Sequence, residues 1–441
     1  MFSPKPLALT DRPNSATQSD STPPKKIFYG WWIALGGMVI LTITSGLGFF
    51  GHTLLLDPLG MEFGWSKGTV SSAVTILLFV SAVSGSILGG FIDRHGPSTL
   101  LVLGSGCMGL GFMLLGRIQE LWHLYAVYML LGIGTSATHM VPVSTVVANW
   151  FVRKRGLAMS VAMSGLSLGG VLLVPAASWL LRGWGLRATL FIFGLTFWIV
   201  IIPIAVLVVK KKPEMMGLCP DGDPPQGAQH RGGEAFSTVS EPTTPWTRKE
   251  AMSRKAFWSI AFAFFLVLSG QVAFMIHEVS FLSPMLGSVG AATAVSLTTG
   301  ASFLGRFLVG SFVDRADKRW VAAVCFLLQG GAVFTAAHST HTGLLYVCVV
   351  VFGLTMGNII MMQPLIIAEF FGVASFGKVS GMIMLFTSSG SAFAPMISGY
   401  LFDLSGSYVT SFTLFSSAYL LAAVVVLAAR SPSPAPLCTE M

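Results

Sequence analysis

The chain has 441 residues, of which 53% are hydrophobic and only 10% are charged, and its formal net charge at pH 7 is +8. A soluble protein of this size and composition would expose large apolar patches, so the composition excludes a soluble multidomain protein and predicts an integral membrane protein. The positive charge lies in the segments that separate apolar runs and does not indicate nucleic-acid binding.

The chain begins with a polar segment and continues with apolar runs. Residues 1–27 are rich in Ser, Thr, Pro and Lys, which predicts a disordered cytoplasmic tail. Runs of roughly 20 apolar residues, long enough to cross about 30 Å of hydrocarbon, then recur along the chain. We count twelve of them, at 31–55, 69–91, 98–116, 122–148, 157–181, 188–209, 257–283, 291–313, 320–338, 344–369, 377–402 and 409–430.

The long polar segment at residues 210–256 contains six prolines and separates the first six runs from the last six. We therefore expect a flexible cytoplasmic linker at 210–256. It would join an N-terminal six-helix bundle at 28–209 to a C-terminal six-helix bundle at 257–430, and residues 431–441 would form a second cytoplasmic tail.

The distribution of Lys and Arg predicts the orientation in the membrane. The two tails, the linker and four alternate loops hold 21 of the 26 Lys and Arg residues. The opposite side holds four, namely Lys67, Arg117, Arg182 and Arg187. Because cytoplasmic loops retain positive charge, both termini are predicted to be cytoplasmic in a multi-pass protein of the bacterial inner (plasma) membrane.

The two halves carry related motifs. An Asp-Arg pair follows an apolar helix in GGFIDRHG, as Asp93-Arg94, and again in GSFVDRADK, as Asp314-Arg315, 221 positions later. Gly156 and Gly377 match at the same offset. The sequence thus predicts an all-α integral membrane protein with twelve transmembrane helices in two pseudo-symmetric six-helix bundles, which is a transporter architecture.

The motif Gly89-x-x-x-Asp93-Arg94-x-Gly96 resembles the loop motif of the major facilitator superfamily. Within that superfamily, the chain is similar to the bacterial monocarboxylate transporters and the oxalate/formate antiporters. The closer resemblance rests on YGWW at 29–32, FGWS at 63–66, NWF at 149–151, RKRGLA at 153–158 and WGLR at 184–187. It implies the superfamily's fold and a proton-linked or exchange carrier for small organic anions.

The Asp-Arg loops have a second interpretation, which the resemblance supports. Each Asp can meet a helix N-terminus or an Arg across the cytoplasmic seam, so that Asp93, Arg94, Asp314 and Arg315 would latch the halves in the outward-open state. The alternative is that the Arg residues act only as topological anchors.

Arg306 is the strongest candidate for substrate binding. It precedes Asp314 by eight residues, which places it about 12 Å inside the cytoplasmic boundary, and Gly85 occupies its repeat-related position. An unpaired cation there costs roughly 2.5 to 3.5 kcal/mol on insertion scales. A guanidinium matches a carboxylate bidentately and keeps its charge, so it would attract an organic anion. The resemblance implies a substrate-binding Arg on this helix; the alternatives are snorkelling or a structural ion pair.

Two departures from the relatives affect this interpretation. Monocarboxylate carriers have an Asp four residues before that Arg, where this chain has Ser302, so the proton-coupling residue is left open. Oxalate exchangers have a second cation in helix 11, where this chain has Thr387, Ser388 and Ser389. A single buried cation balances a single substrate charge, which favours a monoanion.

The titratable side chains inside the predicted helices are the candidates for proton coupling. His52 and Glu278 come first, while His277 and Glu278, near the outer face, are also suited to an external gate. His139 lies nearer the midplane, with Asn358 close to its repeat-related position, and this pair suits substrate hydrogen bonding. Each histidine is equally compatible with a structural role.

We therefore expect a carrier, not an enzyme, that moves a small organic anion with H⁺ by alternating access. The anion would be a monocarboxylate such as lactate or pyruvate. No cofactor, metal or nucleic acid is expected; the lipid bilayer is the surrounding partner, and one chain would function as a monomer. Proton-driven efflux of drugs or other organic compounds, anion exchange, and a transporter-like sensor stay open as alternatives.

Overall fold

The computed structural model describes residues 28–65, 67–222 and 246–431. The predicted tails at 1–27 and 431–441 therefore lie outside the described residues, apart from Ser431, as does the middle of the predicted linker. Every regular element of the described residues is helical. The α-helices are α1 (Gly30–Ser45), α2 (Gly51–Phe63), α3 (Lys67–His95), α4 (Pro97–Leu115), α5 (Leu121–Thr138), α6 (Met140–Trp150), α7 (Arg155–Leu168), α8 (Val174–Thr196), α9 (Arg248–Ser253), α10 (Lys255–Gly310), α11 (Lys318–Ala337), α12 (Thr342–Phe371), α13 (Phe376–Ser405) and α14 (Val409–Ala428).

These helices make twelve crossings. Within the described part of the chain, ten helical stretches are long and apolar enough to span a membrane. One of them, 155–208, would be about 80 Å long if straight, nearly twice the thickness of a bilayer, but it reverses at Gly185 and so crosses twice. The twelfth crossing is α13, a 30-residue helix rich in Ser and Gly.

Two of the turns between crossings consist of little more than one glycine. The predicted loop between the fifth and sixth runs is the turn at Gly185, with φ 75° and ψ 177°, inside α8. The predicted loop between the seventh and eighth runs is the turn at Gly287, with φ 72° and ψ 170°, inside α10. Only glycine takes these values without steric strain, so one residue is enough to reverse the chain. We call residues 255–286 and 288–310 the first and second crossings of α10.

The fourth run, predicted as one helix over 122–148, is divided at His139 into α5 and α6. Pro142 explains the break, because a proline ring clashes with the carbonyl of the residue four positions earlier, here Thr138. The first run is longer than predicted, since α1 continues through a π-helical turn, Gly46–Phe50, into α2.

The helices pack as two groups, α1 to α8 and α10 to α14. Between the groups, α3 packs along α13, and α7 packs along the second crossing of α10. These two pairs form the seam between the halves, and the two Asp-Arg motifs lie at the same end of it.

The described parts of the predicted linker contact the helices, while flexibility of the segment as a whole stays a prediction. Asp221 accepts hydrogen bonds from the backbone N–H groups of Val152, Arg153 and Lys154 at 2.7–3.2 Å. After the undescribed stretch, α9 leads into α10, and Arg248 Nη2 donates to the carbonyl of Ser86 in α3 at 2.5 Å. Arg248 therefore connects the C-terminal half to the N-terminal half.

Candidate functional site

The first contact across the seam is made by Asp93, at the end of α3. Its two carboxylate oxygens accept from the backbone N–H groups of Gly377 at 3.0 Å and Lys378 at 3.1 Å, in the first turn of α13. These N–H groups have no intrahelical acceptor, and the helix dipole makes this end partly positive, so a carboxylate is well placed there.

Asp314 makes the symmetry-related contact. Its carboxylate accepts from the N–H groups of Gly156 at 2.5 Å and Leu157 at 3.2 Å, at the start of α7. The acceptors and donors of the two contacts are each 221 positions apart. Each half thus presents one carboxylate to one helix N-terminus of the other half.

Glycine is needed at both helix starts because of the close approach. A Cβ at Gly156 would lie 2.9 Å from Asp314 Oδ1, and a Cβ at Gly377 would lie 2.6 Å from Asp93 Oδ1. Real Cβ atoms are not found below 3.0 Å, so a side chain at either position would push the carboxylate away from its donors.

The arginines of the two motifs lie outside these contacts. The side chains of Arg94 and Arg315 are exposed. Neither side chain makes a hydrogen bond or an ion pair with another described residue. Among the described residues, the carboxylates and not the arginine side chains make these two contacts, and a part of Arg94 and Arg315 in the latch stays a prediction.

Arg306 lies in the second crossing of α10 and is 1% exposed. Its Nη1 donates to Ser167 Oγ at 2.7 Å, and its Nε donates to the carbonyl of Gly357 at 3.3 Å. Ser167 belongs to α7, so the guanidinium reaches across the seam into the N-terminal half. Among the described residues no carboxylate pairs with Arg306, which leaves a buried cation suited to an anionic ligand.

Backbone contact between α10 and α12 builds the surroundings of Arg306. Gly305, Gly353 and Gly357 lie where the helices meet, and a Cβ at any of them would collide with a main-chain oxygen of the other helix. Small residues allow such close packing in lipid.

Two polar side chains beside this contact have free atoms. Ser302 Oγ would lie 2.7 Å from a Cβ at Gly357, and it has no hydrogen-bond partner among the described residues. Asn358 is 2% exposed; its Nδ2 donates to the carbonyl of Leu354 at 2.7 Å, and its Oδ1 has no partner in the described chain. The side chains of Arg306, Ser302 and Asn358 thus all border this contact of α10 with α12.

His139 lies at the break between α5 and α6, where its backbone has φ −89° and ψ −137°. Its N–H still donates to the carbonyl of Thr135 at 3.0 Å. Its side chain is partly buried, and no hydrogen bond joins it to Asn358 among the described residues. A joint role of His139 and Asn358 in hydrogen-bonding a substrate stays a prediction.

Glu278 lies in the first crossing of α10 and is 2% exposed. Its Oε1 accepts from Thr298 Oγ1 at 2.7 Å. Thr298, Ser302 and Arg306 follow each other at intervals of four, so they lie on one helical face that spans about 12 Å. Thr298 and Ser302 therefore place two hydroxyl groups between Glu278 and Arg306 on this face of α10.

His277, the neighbour of Glu278, faces other helices. Its Nε2 lies 3.0 Å from the carbonyl oxygen of Pro395, and its Nδ1 lies 3.1 Å from the hydroxyl oxygen of Tyr408. A carbonyl only accepts, so the Nε2 atom carries a hydrogen and donates it to Pro395. His277 thereby links α10, α13 and the start of α14.

His52 lies in α2 inside the N-terminal half and is 2% exposed. Its ring stacks on Phe112 at 5.6 Å and contacts Tyr128 at 5.2 Å, measured between ring centroids. These aromatic neighbours belong to α4 and α5, so His52 is part of the core of its own half.

Sequence reasoning missed Ser167 and Thr298, which hydrogen-bond to Arg306 and Glu278. A signal for Thr298 was present in its four-residue spacing from Ser302 and Arg306. Ser167 lies within the small-residue stretch Gly165-x-x-x-Gly169, which indicates close packing without naming a partner.

Comparison with known proteins places this geometry in context. The family described as the Major Facilitator Superfamily matches residues 38–291 and 279–439. The chain is 25% identical to monocarboxylate transporter 11 of Homo sapiens over 422 residues, which cover 92% of this chain and 84% of the relative. It is 27% identical to the oxalate:formate antiporter of Oxalobacter formigenes over 278 residues, which cover 63% of this chain and 60% of the relative.

The fold is similar to that of a solved structure, the fucose:proton symporter FucP of E. coli in its N162A form. The TM-score is 0.62 at 14% sequence identity, and the match covers 92% of this chain and 97% of that chain. At this identity the likeness concerns the fold alone.

Proposed function

The chain belongs to the Major Facilitator Superfamily, in the branch of the monocarboxylate transporters and the oxalate:formate antiporter, and we propose that it carries a small organic anion together with H⁺. It is a multi-pass membrane transporter and not an enzyme. Its substrate in this proposal is a monocarboxylate such as lactate or pyruvate, moved by alternating access across the inner membrane of a bacterium with both termini in the cytoplasm.

Arg306 is the observation that carries the proposal. It is a buried guanidinium at the seam that donates to both halves of the protein and has no carboxylate partner among the described residues. A substrate carboxylate would supply the missing negative charge and could engage the planar guanidinium through two parallel hydrogen bonds.

The preference for a monoanion is supported by α13. The hydroxyl groups of Thr387 and Ser389 donate to carbonyls of their own helix, those of Met384 and Phe386. They add no positive charge, so Arg306 would balance one carboxylate of a bound substrate, and a dianion would keep an uncompensated charge.

We assign the proton first to Glu278. It is a buried carboxyl in the same half as Arg306. Thr298, which donates to Glu278, lies on the same helical face as Ser302 and Arg306. His277, with its bonds to α13 and α14, suits the predicted external gate, and His52 is the second coupling candidate. Asp93 and Asp314 act as the cytoplasmic latch of the outward-facing state in this scheme.

The test is uptake of labelled lactate into proteoliposomes under an imposed pH gradient. Acid outside should accelerate uptake in the wild type, and Arg306→Ala should abolish it. Arg117→Ala is the matched control, because Arg117 is an exposed cation on the outer side, and this variant should retain uptake. Full transport by Arg306→Ala would overturn the binding assignment.

Anion exchange is a second candidate, since one relative is named an oxalate:formate antiporter. In an exchanger, uptake would require an anion inside the vesicle and would respond little to the pH gradient. Efflux of other organic compounds by proton antiport predicts the opposite response, with acid outside driving export.

A further inference from the structure

We propose that Asn358 makes this site selective for monocarboxylates that carry a hydroxyl group near the carboxylate, over their oxo and unsubstituted analogues. The inference rests on the proposed function and narrows its substrate class from monocarboxylates in general to hydroxy acids.

The orientation of the Asn358 amide is fixed by its partner. The carbonyl oxygen of Leu354, 2.7 Å away, can only accept, so the amide nitrogen must face it. The free atom is therefore Oδ1, which can only accept. It is buried and has no donor among the described residues.

Asn358 lies next to the binding cation. The carbonyl of the preceding residue, Gly357, accepts from Arg306 Nε at 3.3 Å. The carbonyl of Leu354, which holds the Asn358 amide, packs against Gly305, the residue before Arg306. Arg306 and Asn358 thus both hydrogen-bond to carbonyls of α12 at its contact with α10.

A substrate must then offer a hydrogen-bond donor besides its carboxylate. A carboxylate and a keto oxygen only accept, so propionate and pyruvate would leave Oδ1 buried without a partner. A 2-hydroxy acid carries an O–H that can donate to it. Ser302 does not discriminate, because its hydroxyl can donate to an oxo group or accept from a hydroxyl.

Amino acids also carry donors, but they fit the site less well. Their ammonium group would bring a second positive charge next to Arg306, and like charges in a buried site disfavour each other. The hydroxyl group supplies the donor without charge.

The experiment measures competition by lactate, propionate and pyruvate against labelled lactate uptake in proteoliposomes. In the wild type, half-inhibition of labelled uptake should need at least about tenfold less lactate than propionate or pyruvate. The reason is that only lactate can donate a hydrogen bond to the buried acceptor. Asn358→Leu removes the acceptor at similar volume and should bring the three acids close to parity. Gln363→Leu is the control: Gln363 is a buried amide of the same helix whose free atom is a donor, and this variant should keep the wild-type ratio.

Equal competition by the three acids in the wild type would overturn the inference and leave the proposed function intact. An unchanged ratio in Asn358→Leu, or equal loss in Gln363→Leu, would also overturn it. Absence of transport for all three acids would instead refute the monocarboxylate function, and the inference with it. The wild-type ratio alone tests the inference even if a variant fails to fold.

Discussion

Replacement of Asp93 by Asn should shift the protein away from the state in which the seam is closed at the end that carries the Asp-Arg motifs. The wild-type carboxylate accepts two hydrogen bonds from the start of α13, at 3.0 and 3.1 Å. An amide offers one oxygen and no charge, so one charge-assisted bond is lost and the other is weakened. At about 1.5–3 kcal/mol for a hydrogen bond to a charged group, the ratio of closed to open states should fall roughly 10- to 100-fold.

The shift can be measured by spin-label distances between the C-terminal end of α3 and the N-terminal end of α13, in a background that lacks the five native cysteines. Asp314→Asn should act in the same direction, because its contact is the symmetry-related one. Arg94→Gln is the control and should leave the distances unchanged, since its side chain is exposed. Unchanged distances in Asp93→Asn, or a larger effect of Arg94→Gln, would refute the reasoning.

Three further predictions follow from the same contacts. Glu278→Gln should keep uptake down a lactate gradient but lose its acceleration by external acid, because an amide still accepts from Thr298 but does not titrate; retained acceleration would exclude Glu278 as the proton site. Gly357→Ala should lower stability by about 1–3 kcal/mol in thermal unfolding, since its Cβ would lie 2.6 Å from the Ser302 carbonyl; a wild-type melting curve would contradict the close packing. Arg248→Gln should shift the equilibrium from the closed toward the open seam by less than about 1 kcal/mol, and Lys249→Gln, a change at an exposed neighbour, is the control; equal label distances in the two variants would contradict a stabilising contact between Arg248 and α3.

The sequence predicts the membrane fold well, because membrane spans can be recognised from local composition alone. The internal repeat can be recognised from the fixed offset between the two Asp-Arg pairs. The motif also places Asp93 and Asp314 at the seam. The motif alone does not tell which residue of each Asp-Arg pair makes the contact across the seam. Only the structure shows that Arg94 and Arg315 are exposed while the carboxylates bind the opposite half.

The polar group around Arg306 is predicted only in part. Burial of Arg306 follows from its depth in an apolar run. Its contact with Ser167 joins residues 139 positions apart, and a spacing pattern within one helix does not specify such a neighbour. The folded parts of the linker were missed for a similar reason, since a Pro-rich composition does not reveal that Asp221 accepts from a distant loop.

The single-glycine turn at Gly287 has a mechanical consequence. No flexible loop separates the crossing that contains Glu278 from the crossing that contains Arg306, since helical structure continues on both sides of Gly287. A displacement of either crossing is therefore transmitted to the other as in a stiff hairpin. Substrate binding and protonation would thus both move the same pair of crossings. Lengthening the turn by several flexible residues should uncouple the movements of the two crossings while leaving each binding site intact.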